Sequence, residues 1–188
     1  MNAPADSAAM CVESYGRLKN LKLVGTELGM PWQTVYVYLK RAGVAVTGDK
    51  TRYGSDTDRL AARAEREFQR LVPDAINTND QQFQSKVDFV IHGYLIDVKA
   101  SLLRGQGPAT KAKRWAFSVK KQEMVADFIV CFALQDEGYR TLLIPGDLLR
   151  RFQSISLAGR GGSKWWDYEV QPHSLAEFFK SLPTKETP

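Results

Sequence analysis

Histidine and cysteine are scarce: 188 residues hold only His92, His173, Cys11 and Cys131. Two cysteines exclude a disulfide framework, and a reducing compartment fits. Cys131 stands inside the apolar run "FIVCFAL" and reads as a small buried hydrophobe. His92 fits a turn and His173 a helix start, which leaves a histidine-based zinc centre without a ligand set. No apolar stretch approaches the roughly 18 residues of a membrane span. The opening "MNAPADSAAM" has neither a basic n-region nor a signal-peptide core, so a cytoplasmic chain with no membrane partner is expected. Repeats and low-complexity tracts are missing as well. Acids are absent locally: none occurs between Asp97 and Glu123, while seven cations do. The net charge of +5 is compatible with a polyanionic partner.

The most informative stretch is "SKVDFVIHGYLIDVKAS", Ser85 to Ser101. Two runs rich in β-branched and aromatic residues meet at His92–Gly93, which predicts a hairpin with a two-residue loop. Counting outward, Ile91 faces Tyr94, Phe89 faces Ile96 and Asp88 faces Asp97. Alternation puts Lys99 on the face of Asp97. Val87, Phe89, Ile91, Ile96, Val98 and Ala100 then line the opposite, core face. Like charges directly opposite destabilise a sheet, and a cation between them removes the repulsion. Paired carboxylates completed by water and phosphate suit Mg²⁺. The same pattern also suits a solvated sheet face on which Lys99 neutralises one acid.

Upstream, "DTDRLAARAEREFQRLV" reads as an amphipathic helix capped by Asp56 or Asp58. Leu60, Ala64, Phe68 and Leu71 form its apolar stripe. Glu65 and Glu67 flank that stripe on opposite sides, so periodicity does not choose between them.

The order of these elements, "RAEREFQRLV" followed by "VDFV…LIDVKAS", resembles the PD-(D/E)xK nuclease superfamily, in particular archaeal Holliday-junction-resolvase-like cores. The motif's proline is missing, with Val87 before Asp88. The likeness runs from about Gly54 to about Ile144. It implies a restriction-endonuclease-like α/β core with a central mixed sheet. It also implies metal-dependent hydrolysis of DNA phosphodiester bonds. Glu65, Asp88 and Asp97 would be the metal ligands, with a backbone carbonyl near Val98, and Lys99 would be the catalytic lysine. Mg²⁺ is the implied cofactor, with Mn²⁺ able to substitute; cutting both strands would need two sites, so a homodimer or higher homo-oligomer is the expected assembly.

The seven cations of that acid-free segment are Lys99, Arg104, Lys111, Lys113, Arg114, Lys120 and Lys121. Gly105, Gly107 and Pro108 mark a loop there, a natural place to grip a DNA backbone. "RWAFSV" reads as a strand with Trp115 in the core, and Lys120 and Gln122 as the start of a short helix. "DFIVCFALQ" and "YRTLLIPG" read as buried strands, with Asp127 structural. "GDLLRRF" and "HSLAEFFKSL" read as amphipathic helices. In "GRGGSKWWDYEV" packing is expected for Trp165 and Trp166, and DNA contact for Arg160 and Lys164.

The N-terminal stretch "LKLVGTELGMPWQTVYVYLKRAGV" places Gly29 where a helix ends in a left-handed turn and Pro31 where the next begins. It resembles the small helix-turn-helix domains of bacterial and phage regulators. That likeness implies DNA recognition by Gln33, Thr34 and Tyr36, with Val37 exposed beside them and Lys40 and Arg41 on phosphate. A helical hairpin used for packing is the plain alternative.

The chain thus divides into a loose tail (1–8), a helix-turn-helix domain (9–46), a linker (47–58) and a nuclease-like domain (59–188). The expected function is a DNA endonuclease of a bacterial, archaeal or phage-infected cell. A non-catalytic DNA-binding regulator that uses the α/β part for assembly, and a structural α/β protein, are the other readings.

Overall fold

The computed structural model describes residues 4–46, 54–78, 86–105, 113–119, 125–159 and 161–185. Among these, two compact units meet in sequence between Ser55 and Asp56. The first holds α1 (Pro4–Leu18), α2 (Leu21–Leu28) and α3 (Trp32–Arg41). Asn20 caps α2, its side-chain oxygen accepting from the N–H groups of Lys22 and Leu23 at 3.0 and 3.1 Å. Gly29 ends α2 at φ 64°, in the left-handed region expected for it. Gly25 is also fixed by space, since a Cβ there would stand 2.5 Å from the Met30 carbonyl oxygen. Pro31 precedes α3 as its cap rather than opening it. Cys11, Tyr15, Val24, Val35 and Leu39 form the buried centre of the unit.

One boundary differs from the sequence reading. The helix starts at Pro4, so residues 4–8 are not a loose tail. Asp6 complements the first turn and the alanines that follow favour helix.

The second unit is α/β. It opens with α4 (Asp56–Leu71), which takes residues 56–58 from the expected linker because Asp56 and Asp58 lie within the first turn. The other elements are β1 (Ile76–Asn77), β2 (Phe89–Ile91), β3 (Tyr94–Leu102), β4 (Arg104–Gly105), β5 (Lys113–Ser118), β6 (Phe128–Leu134), β7 (Tyr139–Pro145), β8 (Ser154–Ala158), β9 (Glu169–Val170) and α5 (Leu175–Ser181). A six-stranded mixed sheet runs β1-β2-β3-β6-β7-β9, with β3 and β6 parallel and the other neighbours antiparallel. A second, antiparallel sheet runs β4-β5-β8.

The central sheet is buried on both faces. On one, Phe89, Ile96, Val98 and Phe132 pack with Ala64 and Phe68 of α4 and Leu175 and Phe179 of α5. On the other, Ile129, Cys131, Leu142 and Ile144 pack with Trp115, Phe117, Ile155 and Leu157 of the second sheet. Trp115 is core, as expected, and its indole N–H donates to the Leu134 carbonyl at 2.7 Å. Trp165 is buried, and Trp166 lies under the Arg140 guanidinium, 3.6 Å from the ring centre.

Two expectations change here. "GDLLRRF" makes only a single 3-10 turn, Gly146–Leu149. The segment is too short to sustain a helix, and the chain must re-enter a sheet at Ser154. Val87 joins the core facing the second sheet rather than that facing the helices. Residues 86–88 form a bend before β2, so strand alternation does not reach Val87.

Gly146 marks where β6 and β7 close. Its N–H donates to the Asp127 carbonyl at 2.8 Å, and a Cβ would sit 1.9 Å from the Ala126 carbonyl oxygen. Backbone on both sides must therefore move to admit a methyl group. We expect Gly146→Ala to lose about 3 kcal/mol, the upper end for overpacking, read as a lower midpoint in urea unfolding. An unchanged midpoint would show that the approach is not that close.

Candidate active site

Over β2 and β3 the hairpin has the register read from its sequence, but the expected Asp88–Asp97 strand pair is not formed, because Asp88 lies in the bend before β2. Phe89 pairs with Ile96, Val90 with Leu95 and Ile91 with Tyr94. His92 and Gly93 turn the chain at φ 50° and 83°, as a two-residue turn with positive φ at both central positions requires. Asp88 lies one residue before β2. Its N–H donates to the Ile96 carbonyl at 3.0 Å, and its Oδ2 accepts from the Val98 N–H at 2.8 Å. The carboxylate thus takes over a backbone position that a strand partner would otherwise fill. Thr78, just after β1, fixes the same backbone from outside: its N–H and its hydroxyl both donate to the Asp88 carbonyl at 3.0 Å. The hydroxyl also lies against the Val87 carbonyl.

Asp97 points to the face covered by the second sheet, and its side chain is only 2 % exposed. That face is therefore not a solvated one. Lys99, two residues on and 23 % exposed, reaches back to it. Its Nζ donates to Asp97 Oδ1 at 2.9 Å. The Nζ also lies 2.7 Å from Oδ2, but at an angle that makes no hydrogen bond, so Oδ2 is a buried oxygen without a hydrogen-bond partner. Asp88 stands close enough to repel the Asp97 charge and to share a proton with it. Burial raises the Asp97 carboxyl to about 7; the Lys99 charge opposes that rise and Asp88 adds to it. The Cys131 thiol, opposite Lys99 in the sheet, is held far above its ordinary range, chiefly by its own burial.

Two apposed carboxylates with one buried oxygen outside any hydrogen bond fit a hard divalent cation, which takes oxygen ligands and keeps several waters. The fit is partial: among the described residues no group of three or more His, Cys, Asp and Glu side chains is gathered as a metal-ligand set. Glu65, half-buried on α4, is not brought into such a set with Asp88 and Asp97. Glu67 is engaged elsewhere. It accepts from Arg70 at 2.7 and 3.0 Å and from the Tyr139 hydroxyl, and the Arg70 bond holds its carboxyl below the ordinary range.

Of the cations, Arg104 and Lys113 are exposed on β4 and β5, while Arg114 is half-buried and its Nε donates to the Ser156 hydroxyl at 2.8 Å. Lys111, Lys120, Lys121, Gln122 and Arg160 lie outside the described residues. Lys164 stands over the Phe152 and Trp165 rings at 4.4 and 4.7 Å. On α3, Gln33, Thr34, Tyr36, Val37, Lys40 and Arg41 are all exposed, while Val35 and Leu39 face inward. Trp32, which the sequence reading did not single out, is 43 % exposed on the same helix at i, i+4 spacing from Tyr36.

Asp127 is structural, as expected. Its Oδ2 accepts from the Leu95 N–H at 2.8 Å and its Oδ1 pairs with Lys185 at 2.7 Å. No described helix is long and apolar enough to cross a membrane. No protein-family model, curated protein or solved structure matches the chain.

The raised Asp97 carboxyl has a signed consequence for stability. Unfolded, the group loses its proton near pH 4; folded, it holds it to about 7. Across that interval the folded state binds more protons, so stability falls as pH rises and levels off above the folded value. In metal-free protein, the melting temperature of Asp97→Asn should gain on the wild type from about pH 5 to about pH 8. A constant or shrinking gap would mean that Asp97 is ionised throughout.

Proposed function

We propose that the protein is a metal-dependent DNA endonuclease whose centre is Asp88, Asp97 and Lys99. The observation that carries this reading is the apposed carboxylate pair, with Asp97 Oδ2 buried and held by the Lys99 charge but by no hydrogen bond. Asp88 and Asp97 would hold Mg²⁺, or Mn²⁺ in its stead. When bound, such an ion polarises a phosphoryl oxygen and lowers the pKa of a coordinated water. Asp88 serves twice, since its backbone and Oδ2 also fix the end of the hairpin. Lys99 spans from the buried Asp97 toward solvent, where its ammonium can orient a water or balance charge growing on a phosphate. Glu65 enters only through the family resemblance, as a further acid from α4. The exposed cations Arg104 and Lys113 would hold substrate backbone.

For the N-terminal unit we propose DNA binding through α3, in the helix-turn-helix manner. Its support is the exposed row of Trp32, Gln33, Tyr36 and Val37 ending in Lys40 and Arg41. Gln can pair with adenine, an apolar side chain can meet a thymine methyl, and Lys and Arg hold phosphate. Cutting both strands of a duplex needs two centres, which a homodimer would provide.

The deciding experiment incubates the full chain with branched, duplex and single-stranded DNA in Mg²⁺, Mn²⁺ or EDTA. Cleavage should require the metal. Lys99→Ala should lower it by about 100-fold or more, the scale for removing one electrostatic stabiliser, and Asp97→Asn should abolish it. Both variants should keep their fold and DNA affinity. Glu65→Gln should do more damage than Glu67→Gln. Wild-type turnover in either β3 variant sinks the assignment, and DNA binding without cleavage under any metal favours the regulator reading.

A separate prediction concerns α3. Replacing Lys40 and Arg41 with Ala should flatten the salt dependence of duplex binding by roughly 0.9 log units for each phosphate no longer neutralised. An unchanged slope and affinity would make the three helices an assembly element instead.

A further inference from the structure

A cavity of about 330 Å³ lies between α4 and the β6–β7 end of the central sheet, on the face away from Asp97. Its volume is at the lower end of the range for small-molecule sites. The floor is apolar: Leu60 and Ala64 from the helix, Phe132 and Leu134 from the sheet. The polar groups at one end are already satisfied by each other. Glu67 accepts from Arg70 and from the Tyr139 hydroxyl, so this acid offers no free charge to a guest.

What remains is a pair of cations. Arg63 and Arg66 line the same cavity, both are exposed, and neither forms an ion pair with a described residue. They sit three residues apart, one turn along a single edge of α4. A guanidinium is a rigid planar fork that matches carboxylate or phosphate oxygens two at a time. An apolar chamber with two exposed guanidinium forks at its rim is complementary to one kind of guest: a small amphipathic anion, with an apolar body and one anionic head.

We propose that this cavity binds a small amphipathic anion of the medium-chain carboxylate class, its chain over Phe132 and Leu134 and its head between Arg63 and Arg66. The apolar body supplies affinity through burial and the guanidinium pair supplies the choice of charge. The site uses no residue of the Asp88–Asp97–Lys99 group, so it stands or falls independently of any nuclease activity.

The test is calorimetric titration of the full chain with octanoate, and with 1-octanol as the neutral match of equal chain length. Octanoate should bind saturably at one site. The double variant Arg63→Gln, Arg66→Gln should bind it at least about tenfold more weakly, the scale of removing one charge-assisted hydrogen bond. Both positions are exposed on a helix that glutamine suits, so the fold should persist, and the circular dichroism spectrum checks this. Octanol should bind the wild type at least about tenfold more weakly than octanoate. Asp97→Asn should leave octanoate binding unchanged. No saturable octanoate binding, equal binding of octanol, or undiminished binding in the double arginine variant would each overturn the proposal.

Discussion

A carboxylate buried between two apolar layers is the constraint around which the second unit is arranged. Asp97 sits mid-strand in β3, with helices on one face of the sheet and a second sheet on the other. Burying such a group unpaired is prohibitive, and even a paired one recovers its desolvation cost only with good geometry. The chain provides a partial solution. Lys99 is near enough to pair and exposed enough to keep contact with water. Asp88 works against it, adding a second negative charge on the same side. The resulting site is under-compensated, and it subtracts from folding stability rather than adding to it. Perturbed carboxylates of that kind concentrate where chemistry is done.

The sheet's two faces divide the work, and α4 shows how finely. Glu65 and Glu67 are two residues apart, roughly 200° around the helix. Glu67 is drawn to the β7 end of the sheet, where Arg70 and Tyr139 neutralise it and close one end of the apolar cavity. That engagement accounts for the Glu67 charge without any ligand near Asp97, while Glu65 rests on the resemblance alone.

Local chemistry was legible in the sequence and coverage was not. A two-residue loop with glycine at its second position fixes hairpin register, so Asp97 and Lys99 could be set on one face from residue order alone, while Asp88, in the bend before β2, lies beyond the reach of alternation. The left-handed end of α2 at Gly29 follows from the same kind of reasoning. Burial of that face could not be read. It depends on β5 and β8, which pair over about forty intervening residues, Trp115 with Leu157 and Phe117 with Ile155. "SISLA" carries too short an alternation to announce a strand by itself. The failure at Val87 has the same character: alternation is a property of a strand, and Val87 lies in the bend before one.

Lys99 also sets the conditions on which any cation could use the two acids. Its ammonium lies against both Asp97 oxygens but hydrogen-bonds only Oδ1, leaving Oδ2 buried and unsatisfied. An entering divalent ion would therefore compete with the Lys99 charge for Oδ2. It would also relieve the repulsion between Asp88 and Asp97, which Lys99 alone does not cancel. Displaced toward solvent, the ammonium would remain tethered by strand spacing to the same face, beside whatever the ion binds. A single pair of residues two apart on β3 thus provides charge compensation as it stands, and would leave a positioned cation were a metal to bind. An Asp–Lys pair separated by an odd number of residue steps would put the two on opposite faces and could do neither.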